Sequence, residues 1–394
     1  MTTLQTDEKP HMMEYPLPSE LDEKVHDFLI SALERSFHTA RVEIRENTMQ
    51  ATMADDITPE DFQQVMSRLL YVSRSINRDL LYQNDVDHGY HEDPLPSLQE
   101  RKDVIPAGPG LFTFQGNFLK VMRGLQRIIR QLAEKYKAVE QEYPALWPVD
   151  LFKRINYFGE FPHQVVLATG VENNYRDREA FARKYSSKEE YNSIDAGQHL
   201  DHCRMGLQPS VCDLCYYALQ QVEDHQNTVY TTFGKVYRNE VSAEQSLDRL
   251  LAFSVRDIMF VGDEQFVMDM RQHMIDEMIK FLEFLNLQCR IETANDPFFT
   301  NDSTIKNAFQ YSSRLKYELL ARLPYKDADL AVGSINHHLN FFGKAFDIRM
   351  HNGRHAYSGC LGIGFERLAF ALYCQYGTDT QTWPADIRQA LELD

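Results

Sequence analysis

Two short blocks, far apart in the chain, constrain its fold more than any other feature. The first runs Val236, Tyr237, Arg238, Asn239, Glu240, continues through a polar loop and ends in Leu250 to Arg256. The second runs Gly362, Ile363, Gly364, Phe365, Glu366, Arg367, Leu368, Ala369. An arginine suits a phosphate because its planar fork donates two parallel hydrogen bonds and never loses its charge, and a nearby glutamate can accept from an adenine amino group. Closely spaced glycines let a backbone approach closely, and a Gly-rich turn ahead of a helix can cradle phosphate. Taken singly, each block is common: Arg-x-Glu is ordinarily a surface ion pair, and paired glycines ordinarily ease packing. Their order, and a separation of 129 positions (367 minus 238) between the arginines, carry the information that neither holds alone.

The chain has 394 residues, enough for two or three domains or for one large domain with an appendage. Hydrophobic residues at 43% and charged residues at 25% are ordinary for a globular protein and exclude a disordered or disulfide-dense class. The longest apolar runs, such as Leu368 to Tyr373, fall far short of the roughly 20 residues that cross a bilayer, and Met1 to Pro10 is polar rather than signal-like. A cytoplasmic protein with no membrane partner is expected. Six irregularly placed cysteines point to burial or metal binding rather than a disulfide framework. The formal charge of −17 repels a phosphate backbone unless basic residues cluster, so general nucleic-acid binding is disfavoured.

From Ser19 to about Asn84 the pattern predicts helix, strand and helix, with Val42 and Ile44 alternating in the strand and Thr58, Pro59 and Glu60 opening the second helix. Asn84 to Gly110 collects Asp, His, Pro and Gly and reads as a linker, which places a boundary near Asp103. Residues 1–103 are then an N-terminal appendage of unknown role and residues 104–394 the main domain. Phe118, Val121, Met122, Leu125, Ile128, Ile129 and Leu132 recur at helical spacing, with Lys120, Arg123, Arg127, Arg130, Lys135 and Lys137 elsewhere on the same helix. That basic side is either a solvated face or a docking patch for an acidic partner. A further amphipathic helix spans Met268 to Leu287, a strand spans Arg290 to Thr293, and a last helix starts near Phe365.

The two charged blocks match motifs 2 and 3 of the class II aminoacyl-tRNA synthetases. The flanking segments Gly110–Phe118, Tyr143–Gln164, Leu207–Cys212, Lys316–Gly343 and Tyr357–Leu372 resemble, more narrowly, the atypical archaeal-type seryl-tRNA synthetases and the related amino acid:carrier protein ligases. The resemblance covers most of residues 104–394 and implies an α+β fold, an antiparallel sheet flanked by helices, with a small N-terminal α+β domain beside it. It implies activation of an amino acid by ATP, with Arg238 and Arg367 catalytic and Glu240 and Phe253 joining them around the nucleotide. It also implies zinc on Cys212, Asp257 and Cys360, where Asp257 departs from the glutamate of the family pattern. Ser334 and Asn336 fall on the substrate side, and Glu318 and Asp329 are candidate magnesium ligands. Cys212 and Cys215 also form a Cys-x-x-Cys pair, as in a zinc ribbon or redox motif, but no second pair exists. His199, His202 and Cys203 form another cluster, to which the resemblance gives no role.

The resemblance leaves the acceptor open between the thiol of a phosphopantetheinylated carrier protein and tRNA, with a catalytically inactive binding paralogue as a third reading. The acidic charge and the lack of a recognisable tRNA-binding module favour the carrier protein and make tRNA an unlikely partner. Motif 1 would be the basic helix ending near Pro144 or Pro148, and in the family this element forms a two-fold dimer interface, so the resemblance implies a homodimer. The sequence does not say which amino acid is used.

Overall fold

A computed structural model describes residues 11–18, 25–26, 29–30, 33, 39–45, 47–53, 58–73, 79–186, 197–239, 246–296 and 313–393. The chain divides into two compact units, one of residues 1–80, 159–163 and 292–317, the other of residues 81–158, 164–291 and 318–394. Among the described residues no helix is long and apolar enough to cross a membrane.

In the first unit, β1 (His11–Pro16), β2 (Thr39–Arg45) and β3 (Thr48–Met53) form an antiparallel sheet in the order β1-β3-β2, covered by α1 (Pro59–Ser73). Thr58 opens α1 as its spacing predicts: its Oγ accepts from the Asp61 amide at 3.1 Å, satisfying one of the helix's orphan donors. Phe62, Met66 and Leu70, four residues apart, turn one face of α1 onto Met13, Met49 and Ala51.

In the rest of the chain, α2 (Leu95–Glu100) and β5 (Val104–Gly108) fall within the stretch that reads as a linker, and β4 (Leu80–Asn84) and β6 (Leu111–Phe114) flank it. Its prolines and glycines punctuate short elements: Pro94 precedes α2, and Gly110, at φ +64, makes the turn of the β5–β6 hairpin. There follow α3 (Gly116–Lys135), β7 (Val139–Glu140), β8 (Leu146–Pro148), α4 (Val149–Arg154), β9 (Leu167–Ala168), α5 (Tyr175–Tyr185), β10 (Met205–Leu207) and α6 (Asp213–Ala218). The chain continues through β11 (Thr228–Tyr237), β12 (Ala252–Gly262), α7 (Glu264–Leu285), β13 (Cys289–Thr293), β14 (Lys316–Leu323), β15 (Ala328–Leu339), α8 (Phe341–Ala345), β16 (Tyr357–Gly364), α9 (Phe365–Tyr376) and α10 (Ala385–Leu391).

Eight strands make one sheet in the order β4-β13-β14-β15-β16-β12-β11-β7, antiparallel from β15 through β11 and parallel where β7 joins β11. Helices α7 and α9 pack against its central strands. Asp263 caps α7 by accepting from the Phe266 amide at 2.9 Å, and Val267, Met270, Met274, Met278, Phe281 and Leu285 bury one stripe of it. Helix α9 is apolar around most of its girth, with Phe365, Leu368, Phe370, Leu372 and Tyr373 all 1% exposed or less, as a helix central to a core must be. Each such large side chain contributes about 1.5–3 kcal/mol on burial.

The basic side of α3 is largely engaged within the chain. Arg127 donates to the Ala390 carbonyl at 2.8 Å and pairs with Glu392, Arg130 pairs with Glu134 and Glu140, and Lys135 pairs with Glu277 at 2.9 Å. This face therefore ties α3 to α10 and α7, and Lys120 and Arg123 remain exposed.

Candidate active site

Both charged blocks converge on the central strands. Strand β11 delivers Arg238 just past its end, and β12 runs back beside it with Val236 opposite Phe253 and Thr232 opposite Asp257. Strand β16 pairs with the other edge of β12 and feeds directly into α9, so Arg367 enters from the third strand over. The Arg238 guanidinium lies 5.5 Å and the Arg367 guanidinium 5.6 Å from the centroid of the Phe253 ring. Arg238 Nε donates to the Pro209 carbonyl at 3.0 Å, which holds the fork away from a free rotamer search. One aromatic ring flanked by two guanidinium groups offers a flat surface for a purine and positive charge for its phosphates. Glu240 lies outside the described residues.

Glu366, quoted in the second block but given no role there, proves central. Its side chain is fully buried; Oε1 accepts from Lys235 Nζ and from Ser254 Oγ, both at 2.8 Å, and Oε2 accepts from the Ser254 amide at 2.7 Å. The carboxylate thus clamps the first turn of α9 to β11 and β12, one residue before Arg367. Nothing local announces this, because Lys235 lies 131 positions away.

On the same strands, side-chain alternation sets Asp257 and Cys360 in adjacent rows. Asp257, Gly362 and Ser334 stand in one row across β12, β16 and β15, and Met259, Cys360 and Asn336 in the next. Gly362 leaves room for Asp257: a Cβ there would sit 2.5 Å from Asp257 Oδ1. Cys212, at the head of α6, hydrogen-bonds both Cys360 and Asp257, and all three are 8% exposed or less. Asn336 Nδ2 donates to Ser334 Oγ at 3.0 Å and to Cys360 Sγ at 3.4 Å. The hydrogen bond from Cys212 pulls the Cys360 thiol well below its ordinary range, helped by His338 and Asn336. The same bond, with burial, pushes Cys212 up, and burial next to a Cys360 thiolate pushes Asp257 well above the carboxylate range. Burial also raises Asp213 to about 7.

Two buried thiols and a buried carboxylate, with Cys212 bonded to each of the other two, are the donor chemistry of a zinc site. They are not a finished coordination sphere: among the described residues no group of three or more His, Cys, Asp or Glu side chains is arranged to hold a metal ion. In the present arrangement they hydrogen-bond one another, sharing the protons a metal would displace. Cys215 takes no part, since it is fully buried and its thiol is pushed up to about 12 by burial. His199 pairs with Asp177 of α5 at 3.1 Å, and Cys203 is exposed. Glu318 and Asp329 fall on β14 and β15, where Asp329 is held by Arg290 at 2.6 Å and Arg322 at 3.5 Å.

No protein-family model matches the chain. Among solved structures, that of A. aeolicus tRNASec in complex with M. kandleri SerRS superposes with a TM-score of 0.68 at 19% identity, covering 96% of this chain and 77% of that one. The fold is that of a class II aminoacyl-tRNA synthetase. Among curated proteins, an amino acid–[acyl-carrier-protein] ligase of Bradyrhizobium diazoefficiens is 25% identical over 307 residues, 76% of this chain and 90% of the relative. A type-2 serine–tRNA ligase of Methanothermobacter thermautotrophicus is 23% identical over 337 residues, 82% of this chain and 62% of the relative. The chain is homologous to type-2 seryl-tRNA synthetase catalytic domains, and this homology supports an enzymatic, ligase-type activity. It also corrects the expectation, from acidic charge and the lack of a recognisable tRNA-binding module, that tRNA is an unlikely partner, because a relative of this fold is solved with tRNA bound. Net charge is a sum over the surface, and a local contact can run against it.

Proposed function

We propose that the chain joins an amino acid to the α-phosphate of ATP and hands the activated acyl group to an acceptor. The observation that carries this reading is the Phe253 ring of β12 flanked by Arg238, just past the end of β11, and Arg367, in the first turn of α9, on a synthetase-type sheet. Adenine stacks on the ring, and the two guanidinium groups meet the phosphates. The amino acid carboxylate attacks the α-phosphorus, the bond to the bridging oxygen breaks, and pyrophosphate leaves. Both arginines stabilise the charge that builds on the α-phosphoryl oxygens, so positioning and electrostatics supply the catalysis. Ser334 and Asn336 line the substrate side, beside Cys360.

Cys212, Asp257 and Cys360 are the residues that would hold zinc, which when bound supplies a Lewis-acid position for the substrate amine. Magnesium would accompany ATP. Of the two candidates on the last strands, Asp329 would have to give up Arg290 and Arg322 to serve it.

For the acceptor, the solved neighbour bound to tRNASec and the serine–tRNA ligases among the relatives support the terminal hydroxyl of a tRNA. A second reading, the thiol of a phosphopantetheinylated carrier protein, is supported by the two carrier-protein ligases, of which the chain spans 90% and 88%. A pyrophosphate-exchange screen across the amino acids, followed by offering the activated amino acid to tRNA and to carrier protein, tests both steps. A hydroxylamine-labile thioester on the carrier, or an ester on tRNA, identifies the acceptor. Absence of exchange with every amino acid would overturn the activation reading.

A further inference from the structure

The two arginines that flank Phe253 sit on different elements, and one short turn touches both of those elements. At the base of the β11–β12 connection the Arg238 amide donates to the Leu251 carbonyl at 2.9 Å, and the Leu251 amide donates to the Gly110 carbonyl at 2.9 Å. The limb that returns to β12, residues 246–251, is anchored by Leu247 and Leu250, each 1% exposed or less. From this limb two polar side chains reach the turn between β14 and β15. Asp248 pairs with Lys326, and Ser246 shares a hydrogen bond with the Tyr325 hydroxyl. Burial alone would raise the Asp248 carboxyl, but Lys326 and Ser246 outweigh it and hold the group below its ordinary range. On its other side the turn meets α9: the Tyr325 ring stands edge-on to Phe370, with centroids 6.4 Å apart, and Phe370 lies about one helical turn beyond Arg367.

We propose that Lys326 is a positioning residue for adenylate formation: through Asp248 it braces the limb that holds Arg238 against a turn that Tyr325 fixes on α9, and so sets the spacing of Arg238 and Arg367 across the nucleotide. This rests on the activation reading above. A donor stabilises the transition state only at hydrogen-bond distance from the charge that develops, and a misplacement of about 1 Å can cost on the order of a hundredfold. The Glu366 clamp fixes the start of α9 to β11 and β12 but does not reach residues 246–251, whose polar ties run to Tyr325 and Lys326 instead.

The full chain is measured by calorimetric ATP titration, by pyrophosphate exchange and by amide hydrogen exchange. Lys326→Met should bind ATP about two- to fivefold more weakly, the range of a partly exposed ion pair, and lose at least about tenfold in kcat through misplaced donors. KM should rise for ATP and stay unchanged for the amino acid selected in the exchange screen. Amides of residues 246–251 should exchange faster while those of α7 keep their protection. Asp248→Asn should reproduce these changes, and the double variant should be no worse than either single one, because both remove the same interaction. Lys326→Arg, which restores the charge, should recover most of the loss. Tyr325→Phe keeps the ring on Phe370, loses the bond to Ser246, and should show the same split at smaller size. If Lys326→Met does not fold, Asp248→Asn carries the comparison. Parent-like ATP binding and kinetics, additive losses in the double variant, or equal rises in both KM values tracked by lower thermal stability overturn the brace. A parent that exchanges no pyrophosphate overturns the activation reading, and ATP affinity with amide exchange then decides the brace by itself.

Discussion

Replacing Glu366 by Gln exchanges one carboxylate oxygen for NH2 in the buried clamp and should be felt in both stability and nucleotide binding. The carboxylate receives three donors, Lys235 Nζ, Ser254 Oγ and the Ser254 amide, at 2.7–2.8 Å and with no exposure to water. A glutamine can keep its oxygen on the Ser254 amide, and the serine hydroxyl can turn to accept from the new NH2. What is lost is the negative charge opposite Lys235 and the charge-assisted strength of the bond to the amide. Lys235 is 46% exposed and regains water, so the cost is that of one charge-assisted hydrogen bond, about 2–3 kcal/mol, rather than that of an abandoned buried charge. Arg367 follows directly in the chain, so loosening the first turn of α9 should raise KM for ATP in pyrophosphate exchange more than KM for the amino acid. Urea unfolding and ATP titration of the exchange rate measure the two effects. A Glu366→Gln protein within about 0.5 kcal/mol of the parent, the ordinary scatter of surface substitutions, and with an unchanged KM for ATP would refute the clamp.

Arg238→Ala and Arg367→Ala should each lower adenylate formation by at least about a hundredfold, the scale of one lost transition-state donor; near-normal pyrophosphate exchange in either folded variant removes that residue from the mechanism. Asp263→Ala should lose about 1 kcal/mol at pH 7, as measured by denaturant titration. The Phe266 amide, with Asn227, holds the Asp263 carboxyl below its ordinary 3.8, so the cap is fully present above that pH and lost as pH falls through the depressed value. The gap between parent and variant should therefore close in acid, and a constant gap would assign the loss to packing. Iodoacetamide at pH 8 should modify the exposed Cys203 first and leave Cys215 and Cys289 unreacted until the protein unfolds, since burial pushes both thiols up to about 12; peptide mass spectra showing equal rates would contradict their burial.

The helices legible in the sequence are those whose burial is periodic. Phe118 to Leu132 and Met268 to Leu287 read as amphipathic and become α3 and α7, and the capping Thr58 marks the start of α1. Asn84 to Gly110 misled because turn residues signal a break in one element and say nothing of whether another begins within a few residues. In the site, Cys212, Asp257 and Cys360 are named only through the resemblance, since their spacing along the chain does not bring them together. Glu366 could not be assigned its role from spacing, because it depends on a lysine from a different strand.

The position of β16 in the sheet bears on how this chain must be made. It lies between β15 and β12, yet both neighbours precede it in the sequence. During synthesis, the β11–β12 hairpin can form early, but its inner edge stays open until Tyr357–Gly364 has left the ribosome. An unpaired edge lined by Ile258, Met259, Phe260 and Val261 is a template for wrong partners. Folding is thereby tied to a late, long-range insertion, which is slow by nature. A strand-length peptide matching β16 should suppress aggregation of truncated nascent chains, and Cys360 and Arg367 arrive only with the step that completes the sheet.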